Sequence, residues 1–194
     1  MNYRGPIIFG IGFLLSLIIG WFLFPMALYK SEAQPLQYNH KLHVTDQGMS
    51  CEDCHAFAES GAFQGIPAVS KCAECHAEPI GETDAEKILV EEYITPNKEI
   101  PWKVYSRQPD NAYFSHASHV TIGKMDCKDC HGSQGESEQL RTYQVNRISG
   151  YSRDIWGPNI SGIQSESWQG MKMDKCIRCH DDRGRRDGCI ACHK

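Results

Sequence analysis

The chain has no cysteine to spare. All ten of its cysteines fall in five Cys-x-x-Cys pairs, and five pairs do not divide into the four-cysteine sites of zinc ribbons. It has little apolar material outside one N-terminal run, with a mean hydropathy of −0.46, so a conventional side-chain core would be thin. It lacks an excess of positive charge: 20 Lys and Arg stand against 24 Asp and Glu, for a formal net charge of −4. That balance argues against nucleic acid as a partner. There is no phosphate-binding loop and no nucleophile–base pair outside the motifs described next. No substrate chemistry is therefore expected of the chain itself, and no catalytic residue is assigned.

What is there is a histidine behind every cysteine pair. The motifs are CEDCH (Cys51, Cys54, His55), CAECH (Cys72, Cys75, His76), CKDCH (Cys127, Cys130, His131), CIRCH (Cys176, Cys179, His180) and CIACH (Cys189, Cys192, His193). CxxCH is the attachment signature of c-type haem. Two thiols add to the porphyrin vinyl groups, and the adjacent histidine binds iron from the proximal side. Five disulfides would use the same cysteines but would leave the histidines unexplained. The chain reads as a pentahaem cytochrome c with five covalently bound haem c groups. These supply the apolar mass that the composition withholds, so little regular secondary structure is expected. Two propionates per haem against one positive charge on a ferric core add about five negative charges, which favours steering of a basic soluble partner.

From Pro6 to Tyr29 there is no charged residue, a stretch long enough to cross a bilayer as a helix. Trp21 and Tyr29 are placed as interfacial anchors. The small residues of SEAQ (31–34) offer a cleavage alternative, but the apolar run exceeds the about 7–15 residues of a signal sequence. Residues 1–30 are expected to be an uncleaved single-span transmembrane anchor. Covalent haem attachment takes place outside the cytoplasmic membrane in bacteria, so residues 31–194 are expected in the periplasm, tethered to the inner membrane.

The remaining four histidines form two copies of HxxH, in YNHKLHV (38–44) and FSHASHV (114–120). The copies mark an internal duplication. Residues 31–82 form a first haem-binding half with two motifs, 83–113 a helix and connector, and 114–194 a second half with three motifs and an insertion at 132–170. Thr83 and Glu86 suggest a capping box that opens a helix over 83–94, with Ile88, Leu89 and Ile94 as its apolar face. The prolines of PNKEIPWKVYSRQPD favour an extended connector. On one helical turn an HxxH presents two imidazoles on nearly the same face. His40, His43, His116 and His119 are therefore candidate distal iron ligands, with a zinc site or plain surface histidines as the alternatives.

FSHASHV, CKDCH and MKMDKCIRCHDDRGRRDGCIACHK together resemble the class III cytochromes c over residues 114–194, with the first half as a shortened copy. The resemblance implies a small multihaem cytochrome c fold, mostly irregular with short α-helices, beside the one transmembrane helix. It also implies pairings: His116 with the haem of His131, His119 with that of His180 and, by analogy, His40 with that of His55 and His43 with that of His76. The family places a further histidine before its penultimate motif, where this chain has GMKMDKC. Met171 and Met173 are the candidate distal ligands of the last haem, Lys172 a weaker one, and an open or water-bound iron the competitor. A His/Met iron has a raised potential relative to bis-histidine neighbours.

The insertion binds no haem yet carries Tyr143, Tyr151, Trp156 and Trp168 among Arg141, Arg147 and Arg153. It reads either as a docking surface or as a lid whose arginines pair propionates. The N-terminal anchor, YNHKLHV, IPWKVYSRQPDNAYFSHASHV, NRISGYSRDIWG and the five haem motifs resemble the membrane-anchored multihaem subunits of two related bacterial respiratory complexes, a menaquinone reductase and alternative complex III. That resemblance implies as partners a molybdopterin-oxidoreductase-like subunit, an iron–sulfur subunit and a polytopic quinone-binding membrane subunit. It implies electron transfer from a soluble periplasmic low-potential cytochrome c through the haems toward menaquinone. The alternatives are a quinol-oxidising complex running outward and a free-standing anchored multihaem reductase.

Overall fold

The structure is a computed structural model and describes residues 3–108, 110–151, 173–185 and 188–193. Helix α1, Arg4–Leu28, is long and apolar enough to cross a membrane, and none of it is buried against the rest of the chain. A helix end leaves carbonyls without intrahelical partners, and here a distant residue meets them. Arg147 donates its backbone N–H to the Leu28 carbonyl at 2.9 Å and its Nε to that of Ala27 at 3.1 Å. Strand β1, Tyr29–Glu32, follows directly and pairs antiparallel with β2, Tyr143–Asn146, Tyr29 lying opposite Asn146.

The insertion makes further contacts beside this clamp. Arg141 lies over the Tyr105 ring at 5.7 Å, and Lys103 lies over Tyr143 at 6.0 Å. The Tyr151 carbonyl accepts from Asn146 N at 2.8 Å. Arg141, Tyr143 and Arg147 are thus engaged within the chain. Arg153, Trp156 and Trp168 lie outside the described residues.

The rest is short helices joined by irregular chain: α2 (Cys51–Cys54), α3 (Val69–His76), α4 (Asp84–Ile88), α5 (Cys127–His131), α6 (Met173–Asp182) and α7 (Cys189–Cys192). Three of the five CxxCH helices begin at the first cysteine. Ser50 with Asp53 and Asp126 with Asp129 close capping boxes in front of α2 and α5, satisfying end groups that so short a helix leaves exposed. The expected helix over 83–94 is present as α4, running on as a π-wound stretch, Leu89–Ile94. Its buried residues are Glu86, Leu89, Val90 and Tyr93, whereas Ile88 is exposed.

The side-chain core is one small cluster, Leu36, Val69, Leu89, Tyr93 and Ile100, with Trp102, Ile94 and Cys72 packed against it. It joins α3 to the helix and connector that follow. Glu99 adds a polar tie, accepting from Val69 N at 2.9 Å. The two halves meet where Lys41 N donates to the Ser137 carbonyl at 3.0 Å, where Leu140 N donates to Gln37 Oε1 at 3.2 Å, and at the Lys41–Glu138 ion pair at 2.6 Å.

Candidate functional site

Both HxxH copies build the same cradle. Asn39 Oδ1 accepts from Leu42 N at 3.0 Å, and Ser115 Oγ accepts from Ser118 N at 3.2 Å. Each side chain starts a turn that then winds as a π-helix, Leu42–Asp46 and Ala117–Ile122. The carbonyls of the same two residues accept from the second histidine of each pair, His43 Nδ1 at 2.9 Å and His119 Nδ1 at 2.8 Å. The aromatic residue in front of each pair divides its two imidazoles. Tyr38 is edge-on to His40 at 4.7 Å and stacked on His43 at 4.5 Å. Phe114 repeats this with His116 at 4.9 Å and His119 at 4.6 Å. The ring sends the two histidines of a pair to different neighbours.

Those neighbours are the histidines of the CxxCH motifs. Ring centroids are 6.1 Å apart for His43 and His76, 6.3 Å for His116 and His131, and 6.1 Å for His119 and His180. His40 lies within electrostatic reach of His55, and burial with that repulsion lowers its imidazole below the ordinary histidine range. Burial and His131 lower His116 likewise. These are the juxtapositions that the class III resemblance implies. An iron held about 2 Å from each facing nitrogen leaves imidazole centroids roughly 6 Å apart, so the spacing of these three pairs suits a haem iron between them.

The thiols fit the same group. None of the ten forms a disulfide, and burial pushes the thiols of Cys54, Cys72, Cys127, Cys130 and Cys176 upward. Among the described residues no three His, Cys, Asp or Glu side chains converge as a bare metal ion would need. The thiols also show which motifs adjoin. Cys72 is within reach of Cys54, Cys127 hydrogen-bonds Cys51, Cys130 faces Cys176 and Cys179, and Cys176 faces Cys192. Electrostatic proximity of the thiols therefore runs second, first, third, fourth, fifth motif. Phe63 bridges the halves along this line, its ring 4.2 Å from His116 and 6.4 Å from His55.

Outer hydrogen bonds orient the imidazoles and leave Nε2 as the free lone pair. His55 Nδ1 donates to the Gly65 carbonyl at 2.8 Å; Gly65 has φ +81, a backbone that turns its carbonyl inward and that other residues rarely adopt. His193 Nδ1 donates to the Asn111 carbonyl at 3.3 Å. The Ser137 hydroxyl, itself donating to Gln134 O, accepts from His40 Nδ1 at 3.3 Å. His76 Nδ1 donates instead to a carboxylate, Glu86 Oε1, at 2.9 Å. Here the expected capping box is only half made. Thr83 Oγ1 accepts from Glu86 N at 3.2 Å, but the Glu86 side chain turns away from the helix start.

Met173 opens α6 with its side chain 61% exposed; Met171 and Lys172 lie outside the described residues. Glu86, Phe63 and Ser137 belong to the site without having been singled out from sequence. Of these only Glu86 carried a signal, and it pointed elsewhere.

Residues 25–100 match the Class III cytochrome C family. The match falls on the end of the anchor, the first half and part of the connector, not on residues 114–194 where the sequence resemblance was drawn. Along most of its length the chain is also similar to the menaquinone reductase, multiheme cytochrome c subunit of Nitratidesulfovibrio vulgaris, 36% identical over 201 residues that cover 96% of this chain and 89% of that protein. A cytochrome c of this kind carries covalently bound haem c. The chain is a class III-type cytochrome and belongs to the family of that menaquinone reductase multihaem subunit.

Proposed function

We propose that this chain is the electron-carrying cytochrome of a membrane-bound, quinone-linked respiratory complex. It would take electrons from a soluble periplasmic low-potential cytochrome c and pass them through five haem c groups toward menaquinone. Haem c, when bound, supplies reversible one-electron iron chemistry. The chain's part is to hold and order the groups. His55, His76, His131, His180 and His193 serve as proximal ligands, and His40, His43, His116 and His119 as distal ones. The observation that carries this is the set of imidazole pairs 6.1–6.3 Å apart, each joining an HxxH to a CxxCH motif. Irons so enclosed have no open position for substrate, so they pass electrons only. His193 is left over when eight of the nine histidines are paired, and Met171 or Met173 is proposed as its distal counterpart. Helix α1 is the anchor in the inner membrane, with the haem-binding residues in the periplasm. A single span builds no quinone pocket, so a polytopic quinone-binding subunit, an iron–sulfur subunit and a molybdopterin-oxidoreductase-like subunit complete the complex.

The test is extraction from native membranes in mild detergent, identification of every co-purifying chain, and rapid mixing with reduced periplasmic cytochrome or with menaquinol. The expected result is co-purification of those subunits and faster haem reduction by the cytochrome. A cytochrome that purifies alone overturns the complex; faster reduction by quinol reverses the direction.

A further inference from the structure

The pocket around Glu86 is built for a carboxylate. Its Oε1 accepts from His76 Nδ1 at 2.9 Å and from Ile80 N at 2.8 Å, and the side chain also takes the N–H of Gly81. Only about a tenth of it reaches solvent. A Cβ on Gly81 would stand 2.6 Å from Glu86 Oε2, so the absence of a side chain there makes room for the second oxygen. Thr83 fixes the first turn of α4 and so the direction from which Glu86 enters. Three N–H groups converge on one acidic side chain, and one of them belongs to a motif histidine.

The first motif is arranged differently. His55 Nδ1 rests on the neutral carbonyl of Gly65 at 2.8 Å. A carboxylate draws the Nδ1 proton more strongly than a carbonyl does, so the imidazole gains anionic character and becomes a stronger donor at Nε2. A fixed negative charge behind the ligand also favours the more positive state of whatever Nε2 binds.

We propose that Glu86 is a positioning residue that holds the iron at His76 and His43 at a lower reduction potential than the iron at His55 and His40. The second motif neighbours the first through the single turn that carries His43 and His40, and Phe63 leads on from His55 of the first motif to His116 of the second half. Electrons placed there run downhill toward the first motif and on into the second half, which makes the second motif the entry point. This rests on the ligand assignment proposed above.

The experiment is a potentiometric titration of the full-length holoprotein, followed by its ferric paramagnetic resonance spectrum, for native protein, E86Q and H43A. Glutamine keeps an oxygen to accept from His76 and Ile80 but carries no charge, so the fold is retained while the charge is lost. In E86Q one haem component is expected to move to higher potential with its ferric low-spin signature altered, the others staying in place. That component is the one that turns high-spin in H43A. A titration of E86Q that superimposes on the native curve, or a uniform shift of every component, overturns the tuning role. If H43A leaves every haem low-spin, the ligand assignment itself fails, and with it this inference. G81A, which keeps the charge but crowds Oε2, is expected to move the same component upward by less; no movement there means the carboxylate's placement is immaterial and counts against the proposal.

Discussion

The two halves use one cradle on unlike foundations. In each, an aromatic ring wedges apart the two histidines of an HxxH, and the residue between aromatic and first histidine caps the turn and holds the second imidazole. The support beneath differs. Every buried apolar side chain among the described residues, from Tyr29 to Ile100, belongs to the first half, the connector or the end of the anchor. The described residues of 114–193 bury none. A half with its own apolar cluster can hold some shape from its side chains, whereas a half without one depends on what its cysteines and histidines bind. The family match over residues 25–100 covers the half with the cluster.

The largest expected effect follows from that contrast. Chain produced without haem attachment should lose residues 114–194 to limited proteolysis first, while a fragment around residues 36–100 persists longer. Mass spectrometry of the digest measures this, and simultaneous loss of both halves would erase the comparison. Next come core truncations. Val69→Ala or Leu89→Ala should cost about 2–4 kcal/mol in denaturant unfolding of the holoprotein, whereas Ile122→Ala or Ile190→Ala, both exposed, should stay within about 0.5 kcal/mol.

Much of the site was legible in sequence because its chemistry demands neighbours in the chain. Two thiols and a histidine must share one helical turn to reach one porphyrin, so CxxCH is local. The aromatic-x-His-x-x-His repeat is local for the same reason. Contacts between distant segments were not legible. Strands β1 and β2 are each four residues long, and their pairing clamps the anchor with a stretch that reads as an exposed loop. Glu86 illustrates a subtler failure. Thr-x-x-Glu satisfies the capping-box pattern, and Thr83 does cap, but the carboxylate finds a better donor in His76. Local sequence shows that a carboxylate is available, not which N–H it will meet.

Smaller effects sharpen the comparison at the seam. Arg147→Ala removes the Nε donor from the Ala27 carbonyl, leaves the backbone bond to Leu28 in place and should cost about 1 kcal/mol, seen as faster hydrogen exchange across β1 while the HxxH cradles are unaffected. The smallest is the ion pair between the halves. Lys41 holds the Glu138 carboxyl below its usual range, and Glu138 raises Lys41. The lowered carboxyl contributes at neutral pH and is lost as pH falls through its folded value. The raised amine contributes below its unfolded value and is lost as pH rises through its folded one. Both partners are exposed, so Lys41→Met should change the thermal midpoint little at any pH, and less still in high salt.

The central claim is that histidines from the two cradles face those of the CxxCH motifs across iron. The most direct measurement is the low-temperature paramagnetic resonance and near-infrared magnetic circular dichroism of the fully oxidised protein, with haem content determined on the same sample. The account expects five haems, four of them low-spin with two imidazole ligands and a fifth of different ligation. Fewer than four bis-imidazole haems, or high-spin iron at more than one site, would contradict it.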